Sequence, residues 1–350
     1  MRATIAISTR SHTPINPDAD RLGGRPWEVE VRALAWLGRH ATEALVAGVI
    51  IGLILPHLAA VLQGWLSPLV FVFTAAAFLK ADIQQVALAV WRRPLLPALL
   101  LVWLLVAVPL AAAGIIHCLH VPVQLAQALI VWAASPSMTA AIVFAALLGL
   151  DVALATSLAT LSIIAVPLTG PYLINWLAGV AAGMDVLAMI GRIGAFIGTA
   201  LAAAWVVRRL AGQIVLEKKA NELNGAIIIL LVLFGVSLMG GVRDRLMSDP
   251  GHIIEYVAAA FIANLLVQIA SSILFVWAGS WRSATAALVS GNRNMSVLCA
   301  NLGAASTPDI MLFFATSHVP IYVLPWMLRK AYDWAGRSCG AEPRHGLLRS

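Results

Sequence analysis

The stretch Ser290-Gly291-Asn292-Arg293-Asn294-Met295-Ser296 decides the fold, and it lies inside an otherwise apolar segment at 283–303. A segment of about 20 apolar residues is long enough to cross a bilayer as a helix. Unwound polar backbone at that depth is tolerated only where it is buried in protein or lines a wet cavity. The stretch therefore predicts a broken transmembrane helix. A cytoplasmic loop is the alternative.

A second interruption, Ser135-Pro136-Ser137-Met138-Thr139, lies within the apolar segment 124–148. Proline removes a backbone donor and clashes with the preceding helical turn, and three hydroxyls surround it. The alternative is a proline kink satisfied by its own serines. Both interruptions lead through Met-Thr or Met-Ser into an apolar stretch that ends in Leu-Gly, at 148–149 and 302–303. The spacing between the two methionines is 157 residues.

Composition places these segments in a membrane protein. Charged residues make up 11% of the 350 and apolar residues 61%, and the mean hydropathy is +0.90. A soluble globular chain carries about 25% charged residues, so a cytosolic enzyme, a disordered protein and a disulfide scaffold are excluded. The net charge of +7 comes from basic residues between apolar stretches, which favours membrane topology over nucleic-acid binding.

The sequence carries no sign of catalytic or cofactor chemistry. Cys118, Cys299 and Cys339 form no CxxC and no metal-ligand spacing. No Ser/His/Asp cluster or phosphate-binding loop is present. We therefore expect no enzyme activity, no cofactor and no metal site.

Apolar segments and basic residues together predict the topology. Outside the spans, nineteen Lys and Arg fall on one side and two on the other, which places both termini in the cytoplasm of an inner-membrane (plasma membrane) protein. Residues 27–40 alternate apolar and charged types, as an interfacial helix or an extension of the first span would. The ten predicted spans are 42–62, 66–80, 95–116, 124–148, 152–176, 187–207, 223–242, 254–278, 283–303 and 308–328.

The two interruptions are five spans apart, and an odd number of helices inverts the second copy of a repeat. Broken helices at matched positions of inverted repeats point to a transporter's binding site. The predicted organisation is a cytoplasmic segment 1–40, repeats 41–177 and 178–330, and a cytoplasmic tail 331–350. The predicted substrate-binding residues are Ser135, Pro136, Ser137, Met138, Thr139, Ser290, Asn292, Arg293, Asn294 and Ser296.

With these motifs and the closing Pro320-Ile321-Tyr322-Val323-Leu324-Pro325, the chain resembles the bile acid:sodium symporter superfamily over roughly 40–335. The resemblance implies an all-α membrane protein of ten transmembrane helices in two inverted five-helix repeats. Helices 4 and 9 would be broken and would cross in a core domain, beside a panel of helices 1, 2, 6 and 7. It also implies that an organic anion binds near the crossing.

The chain departs from the residues that the resemblance implies for sodium. Sodium-coupled members resemble Glu-x-Gly-x-Gln-Asn at helix nine, where this chain has Val289 and Arg293 for the Glu and Gln. The Ser-Asn pair of helix four is replaced by Ala141-Ile142. The hydroxyl ligands of helix five fall on Ala155 and Ala159, or on Thr156 and Thr160 if the alignment slips by one.

These replacements leave the role of Arg293 open. As a permanent cation, it would stand in for the bound sodium and face a substrate carboxylate. As a structural prop, it would bond the loose carbonyls of the break, and both roles are compatible. The other intramembrane arginine, Arg192, lies only a turn or two inside span six and is expected to snorkel to the outer surface.

We expect a sodium-independent carrier: a monomeric secondary transporter that moves a small organic anion across the lipid bilayer by alternating access and has no nucleic-acid partner. His318, in mid-span ten, leaves open proton coupling, with a packed histidine as the simpler alternative. An arsenite-type carrier would use a thiolate at helix four, where this chain has Ser135 and Ser137. A non-transporting membrane sensor is the remaining alternative.

Overall fold

The computed structural model describes residues 41–81, 83–92, 94–178, 185–212, 215–216, 219–303 and 306–337 of the 350-residue chain. Within these ranges the regular structure is helical, apart from one isolated β-bridge. The described part of the chain is therefore all-α, as predicted. The predicted segment 1–40 with its interfacial helix, and residues 338–350 of the tail, lie outside the described residues.

Helices follow one another along the whole described chain. Two π-helical segments, Trp103–Ala107 and Ile174–Ala178, continue helices of the first half. The helices of the first half are α1 (Ala41–Ile54), α2 (Pro56–Gln63), α3 (Leu66–Lys80), α4 (Ile83–Arg92), α5 (Leu95–Val102), α6 (Val108–Leu119), α7 (Val123–Ala134), α8 (Ala140–Leu147) and α9 (Val152–Leu173). Those of the second half are α10 (Val186–Ala211), α11 (Ala220–Leu238), α12 (Val242–Ser248), α13 (Pro250–Leu274), α14 (Ser280–Gly291), α15 (Ser296–Leu302), α16 (Pro308–Met327) and α17 (Arg329–Arg337).

Six helical stretches of the described chain are long and apolar enough to cross a membrane, which makes this a multi-pass membrane protein. They are Leu95–Leu119, Val152–Ala178, Val186–Ala211, Gly225–Ser248, Pro250–Leu274 and Pro308–Met327. A bent pair, Pro56–Gln63 with Leu66–Leu79 at 71°, is a broken span or a re-entrant loop, and as one span it would make a seventh. The other predicted spans are occupied by shorter helices, such as α7 with α8 and α14 with α15, so the count of ten stays a prediction.

Short polar side chains fix several helix starts. Asp151 Oδ1 accepts a hydrogen bond from Leu154 N at 2.9 Å at the start of α9, and Thr307 Oγ1 accepts from Ile310 N at 3.3 Å at the start of α16. Each cap satisfies one of the backbone donors that a helix start leaves without an intrahelical partner. Both caps stand at connections between predicted spans, the first between 148 and 152 and the second between 303 and 308.

The helices pack in two groups. We call α1, α2, α3, α10 and α11 the panel and α5–α9 and α13–α16 the core, because within each group the helices contact one another extensively. Inside the panel, α1 approaches α11 closely. A Cβ added at Gly48 would lie 2.6 Å from the Val232 carbonyl oxygen, and one at Gly52 2.8 Å from that of Val236. These glycines therefore let the two backbones pack directly against each other.

Candidate functional site

The two predicted breaks lie against each other. They separate α7 from α8 and α14 from α15, and they form an isolated antiparallel β-bridge between Ser137 and Arg293. Each break supplies backbone partners to the other, which is how unwound backbone is satisfied away from water. The hydrogen bonds beside the bridge, both 2.8 Å long, run from Met138 N to Asn292 O and from Asn294 N to Pro136 O.

The polar side chains of the breaks are mostly engaged within the crossing itself. Ser135 Oγ donates to a carbonyl one turn earlier at 2.8 Å, and Ser137 Oγ donates to the Val289 carbonyl at 2.9 Å. Asn294 Oδ1 accepts from the backbone N of Ser296 at 3.2 Å and from its hydroxyl, so it caps the start of α15. These four polar residues are all buried.

The guanidinium of Arg293 binds a set of backbone carbonyls from three parts of the core. Its Nε donates to Ser290 O at 2.7 Å, and its Nη1 donates to Leu104 O at 2.7 Å and to Ser135 O at 3.0 Å. The residue is 1% exposed, and its Cζ lies 5.9 Å from the Trp132 ring centroid. Arg293 thus joins both breaks to the third predicted span. The structural role proposed from sequence has a direct geometric basis.

Local backbone structure explains why the Leu104 carbonyl is free to accept. In the π-helical segment Trp103–Ala107, the N–H of Val108 donates to the carbonyl five residues back, instead of to that of Leu104. The next N–H along would belong to Pro109, which has none. The carbonyl of Leu104 therefore has no helical donor, and Arg293 supplies one.

The positions at which the resemblance implies sodium ligands form an apolar cluster. Val289, Ala141 and Ala155 are fully buried and pack in one cluster with Met138 and Leu158. None of these side chains offers an oxygen. Among the described residues, no group of three or more His, Cys, Asp or Glu side chains could hold a metal ion.

A cavity of about 480 Å³ lies between the panel and the core, beside the crossing. Its walls come from the second half of α3 and the first halves of α9 and α11, together with α8 and Tyr322 of α16. The walls are largely apolar. The side-chain oxygens that line it belong to Thr139, Thr156, Thr160 and Tyr322.

Two of the ten predicted substrate-binding residues, Met138 and Thr139, line this cavity, and so does Ile142. The other eight do not. The side chain of Asn292, for example, turns to the helix α13, where its Oδ1 accepts from Asn264 Nδ2 at 3.4 Å. The cavity therefore meets the crossing at the start of α8 rather than at α15.

A buried polar chain behind the crossing was not predicted from the sequence. The Tyr332 hydroxyl donates to Gln268 Oε1, Gln268 Nε2 donates to Asn264 Oδ1 at 2.6 Å, and Asn264 in turn reaches Asn292. Burial raises the pKa of Tyr332, which keeps the hydroxyl protonated as a donor. A Cβ at Gly291 would lie 2.5 Å from Asn264 Oδ1, so a glycine at this position leaves space for these hydrogen-bonded side chains. The sequence feature that could have indicated these contacts is the pair of amide side chains, Asn264 and Gln268, four residues apart in an apolar span.

His318 lies in an aromatic environment. Its ring centroid is 5.8 Å from that of Phe234, 5.3 Å from that of Phe314 and 6.4 Å from that of Tyr322. Its Nδ1 donates to the Phe314 carbonyl at 2.8 Å. This is the arrangement of a packed histidine, the simpler of the two interpretations. Cys299 is buried in α15 and does not line the cavity.

Comparison with known proteins identifies the family. No match is found among curated proteins. The model of the Sodium Bile acid symporter family matches residues 67–248, more than half of the chain, which includes the first break and ends before the second. The multi-pass helical structure agrees with that match. The chain therefore belongs to the sodium bile acid symporter family of membrane transporters.

Proposed function

We propose that this protein carries an organic anion across the membrane by alternating access and without sodium. The observation that carries the proposal is the guanidinium of Arg293, hydrogen-bonded to three backbone carbonyls at the crossing of the two breaks. Convergent carbonyl oxygens are what a bound cation requires. Arg293 supplies a cation that is attached to the chain and cannot dissociate.

The residues around the crossing do not fit sodium. A sodium ion needs several oxygen ligands and a nearby negative charge, whereas Val289, Ala141 and Ala155 present only hydrocarbon. The positive charge of Arg293 would repel a second cation strongly in a medium of low dielectric constant. Among the described residues around the crossing, the lack of a carboxylate and the presence of a guanidinium both disfavour sodium binding.

The cavity suits an anion with an apolar body. Its volume of about 480 Å³ falls within the usual range for organic ligands, and its walls carry hydroxyls but no charged side chain. The start of α8 reaches the cavity at Thr139 and Ala140. A helix start carries a partial positive charge, which suits a carboxylate.

The topology that goes with this function comes from the sequence. The two repeats, 41–177 and 178–330, would be inverted in the membrane, with five spans each. The excess of basic residues on one side would place both termini in the cytoplasm of the inner membrane. The protein would act as a monomer, because each copy of the chain contains both breaks and the cavity.

The test is a binding and transport experiment on the purified protein. Its thermal stability is measured with a series of carboxylates from acetate to cholate, in sodium chloride and in choline chloride. Uptake of the best binder is then measured in proteoliposomes in both salts. We expect stabilisation to increase with the apolar size of the anion and to be equal in the two salts. Binding or uptake that requires sodium would contradict the proposal.

Cysteine protection tests the location of the site. In a background in which Cys118, Cys299 and Cys339 are serine, Ala140→Cys lies on the cavity wall and Leu168→Cys on the exposed side of α9. The best binder should slow maleimide labelling of the first and leave the second unchanged. Equal labelling of Ala140→Cys with and without binder would place the site elsewhere.

A further inference from the structure

The two ends of the panel differ in how they meet the core. The second half of α3 and the first half of α11 line the cavity, so we call that end of the panel the cavity face. At the other end, α15 packs against α3 and α10, and we call that end the closed face. The side chains of Val297, Leu298 and Leu302 in α15 are fully buried there.

Two panel side chains reach the carboxyl end of α15. Ser67, at the start of α3, donates from Oγ to the Ala300 carbonyl at 3.3 Å. Arg192, in the first turns of α10, places its Nη1 3.6 Å from the position of a Cβ on Gly303, the residue that ends α15. Gly303 has a φ of +56°, so the chain turns away from the helix at this point.

The chemistry of a helix end explains why these contacts matter. The last four carbonyls of a helix have no intrahelical donor, and the carboxyl end carries a partial negative charge that attracts a cation. The hydroxyl of Ser67 on α3 supplies a donor, and the guanidinium of Arg192 on α10 supplies a positive charge near the helix end. The core half-helix α15 is therefore completed by groups that belong to the panel.

We propose that Ser67 and Arg192 are positioning residues of a latch that holds α15 against the panel and keeps the closed face shut. The inference rests on the alternating access of the proposed function. When the panel moves away from α15, water replaces both groups at the helix end. Arg192 is exposed already, so its charge stays hydrated in either arrangement. The latch is thus weak enough to open in each cycle.

The native Cys299 reports on this latch. It lies in α15, is 6% exposed, and shares an apolar cluster with Met189 and Ile193 of α10. With Cys118→Ser and Cys339→Ser it becomes the sole thiol. The rate at which a water-soluble maleimide labels Cys299 in the purified protein then measures how often the closed face opens. No substrate is needed for this measurement.

Removing the latch should raise that rate. Arg192→Gln and Ser67→Ala are each expected to speed labelling about two- to fivefold, the effect of losing a charge or a hydrogen bond at a helix end. The double variant should reach about tenfold. Arg192→Lys keeps the charge and should stay close to the parent. The matched control is Arg243→Gln, because Arg243 of α12 donates to the Ile54 carbonyl at the end of α1 and not to α15, and its rate should not change.

Two results would overturn the latch. One is an unchanged labelling rate in both Arg192→Gln and Ser67→Ala. The other is an equal rise in labelling of a cysteine placed at Ala133, which is fully buried in the core, because that would mean general loosening of the fold. If the latch variants behave as expected and no organic anion is transported, the latch stands and the proposed function fails.

Discussion

The three carbonyl contacts of Arg293 lead to a prediction about stability. Replacing Arg293 by leucine removes the donors to Ser290, Leu104 and Ser135 at once. Each buried carbonyl left without a donor costs about 1–3 kcal/mol. Removing the buried charge returns part of its desolvation cost, so the net loss is smaller than the sum over the three carbonyls. We expect Arg293→Leu to lose about 3–5 kcal/mol, the lower part of the range of about 3–9 kcal/mol for three unsatisfied carbonyls.

Graded substitutions separate the charge of Arg293 from its geometry. Glutamine has one amide group and can reach at most two of the three carbonyls, so Arg293→Gln should lose about 1–3 kcal/mol. Lysine keeps the charge but lacks the planar fork that spans separate acceptors, and Arg293→Lys should fall between glutamine and the parent. Arg243→Leu is the matched control, since that guanidinium is exposed and lies outside both the crossing and the latch. It should change stability by no more than about 0.5 kcal/mol.

The assay is thermal unfolding of each purified variant in the same detergent, without ligand. A loss of about 4 kcal/mol should lower the melting temperature by roughly 10 °C in a protein of this size. Arg293→Leu melting within about 2 °C of the parent would refute the reasoning, because the three carbonyls would then be satisfied without the guanidinium. The same result would remove the basis for a tethered cation.

Three further predictions follow from other contacts. Sodium should not stabilise the protein, because the positions expected for its ligands form an apolar cluster. A saturable stabilisation by sodium that lithium and potassium do not give would contradict this. Gly291→Ala should lower the melting temperature clearly, because its Cβ would lie 2.5 Å from Asn264 Oδ1, whereas Gly194→Ala, with nothing within 4 Å, should not. His318→Gln should leave the pH profile of anion uptake unchanged, and a lost pH dependence would revive proton coupling.

The positions of the two breaks could be predicted because each has a cause within a few residues. Pro136 cannot continue the helical hydrogen bonds, and the run from Ser290 to Ser296 is too polar for an uninterrupted span. The pairing of the breaks could not be derived in the same way. It joins backbone atoms of Met138 and Asn292, and a backbone contact between distant segments leaves no mark on the residue types involved.

The site was harder to predict than the fold for a related reason. A search for polar residues finds the breaks, but the structure uses those side chains to satisfy the breaks themselves. Ser137 and Asn294 bond atoms of the crossing, and the cavity beside it is lined mainly by residues such as Phe73 and Ile227. Apolar lining cannot be told from an apolar core by sequence.

The sequence indicates only indirectly that the Leu104 carbonyl is available as a hydrogen-bond partner of Arg293. The carbonyl of Leu104 is free because Pro109 follows it at the distance of a π-helical hydrogen bond. Proline five residues after a leucine is visible in the sequence, but nothing there connects it to an arginine 189 residues later. Only the packing of the core brings the donor to the carbonyl.

A tethered cation has an energetic consequence for transport. A dissociable ion stabilises the state that binds it by an amount that depends on its concentration, and this dependence lets an ion gradient drive a carrier in one direction. The charge of Arg293 is present at the crossing in every state and at every salt concentration. In the proposed function, a carrier built on it would have no sodium gradient to draw on, so the substrate's own gradient would set the direction of net movement. Counterflow of labelled against unlabelled anion would then proceed equally well with sodium absent from both sides of the membrane.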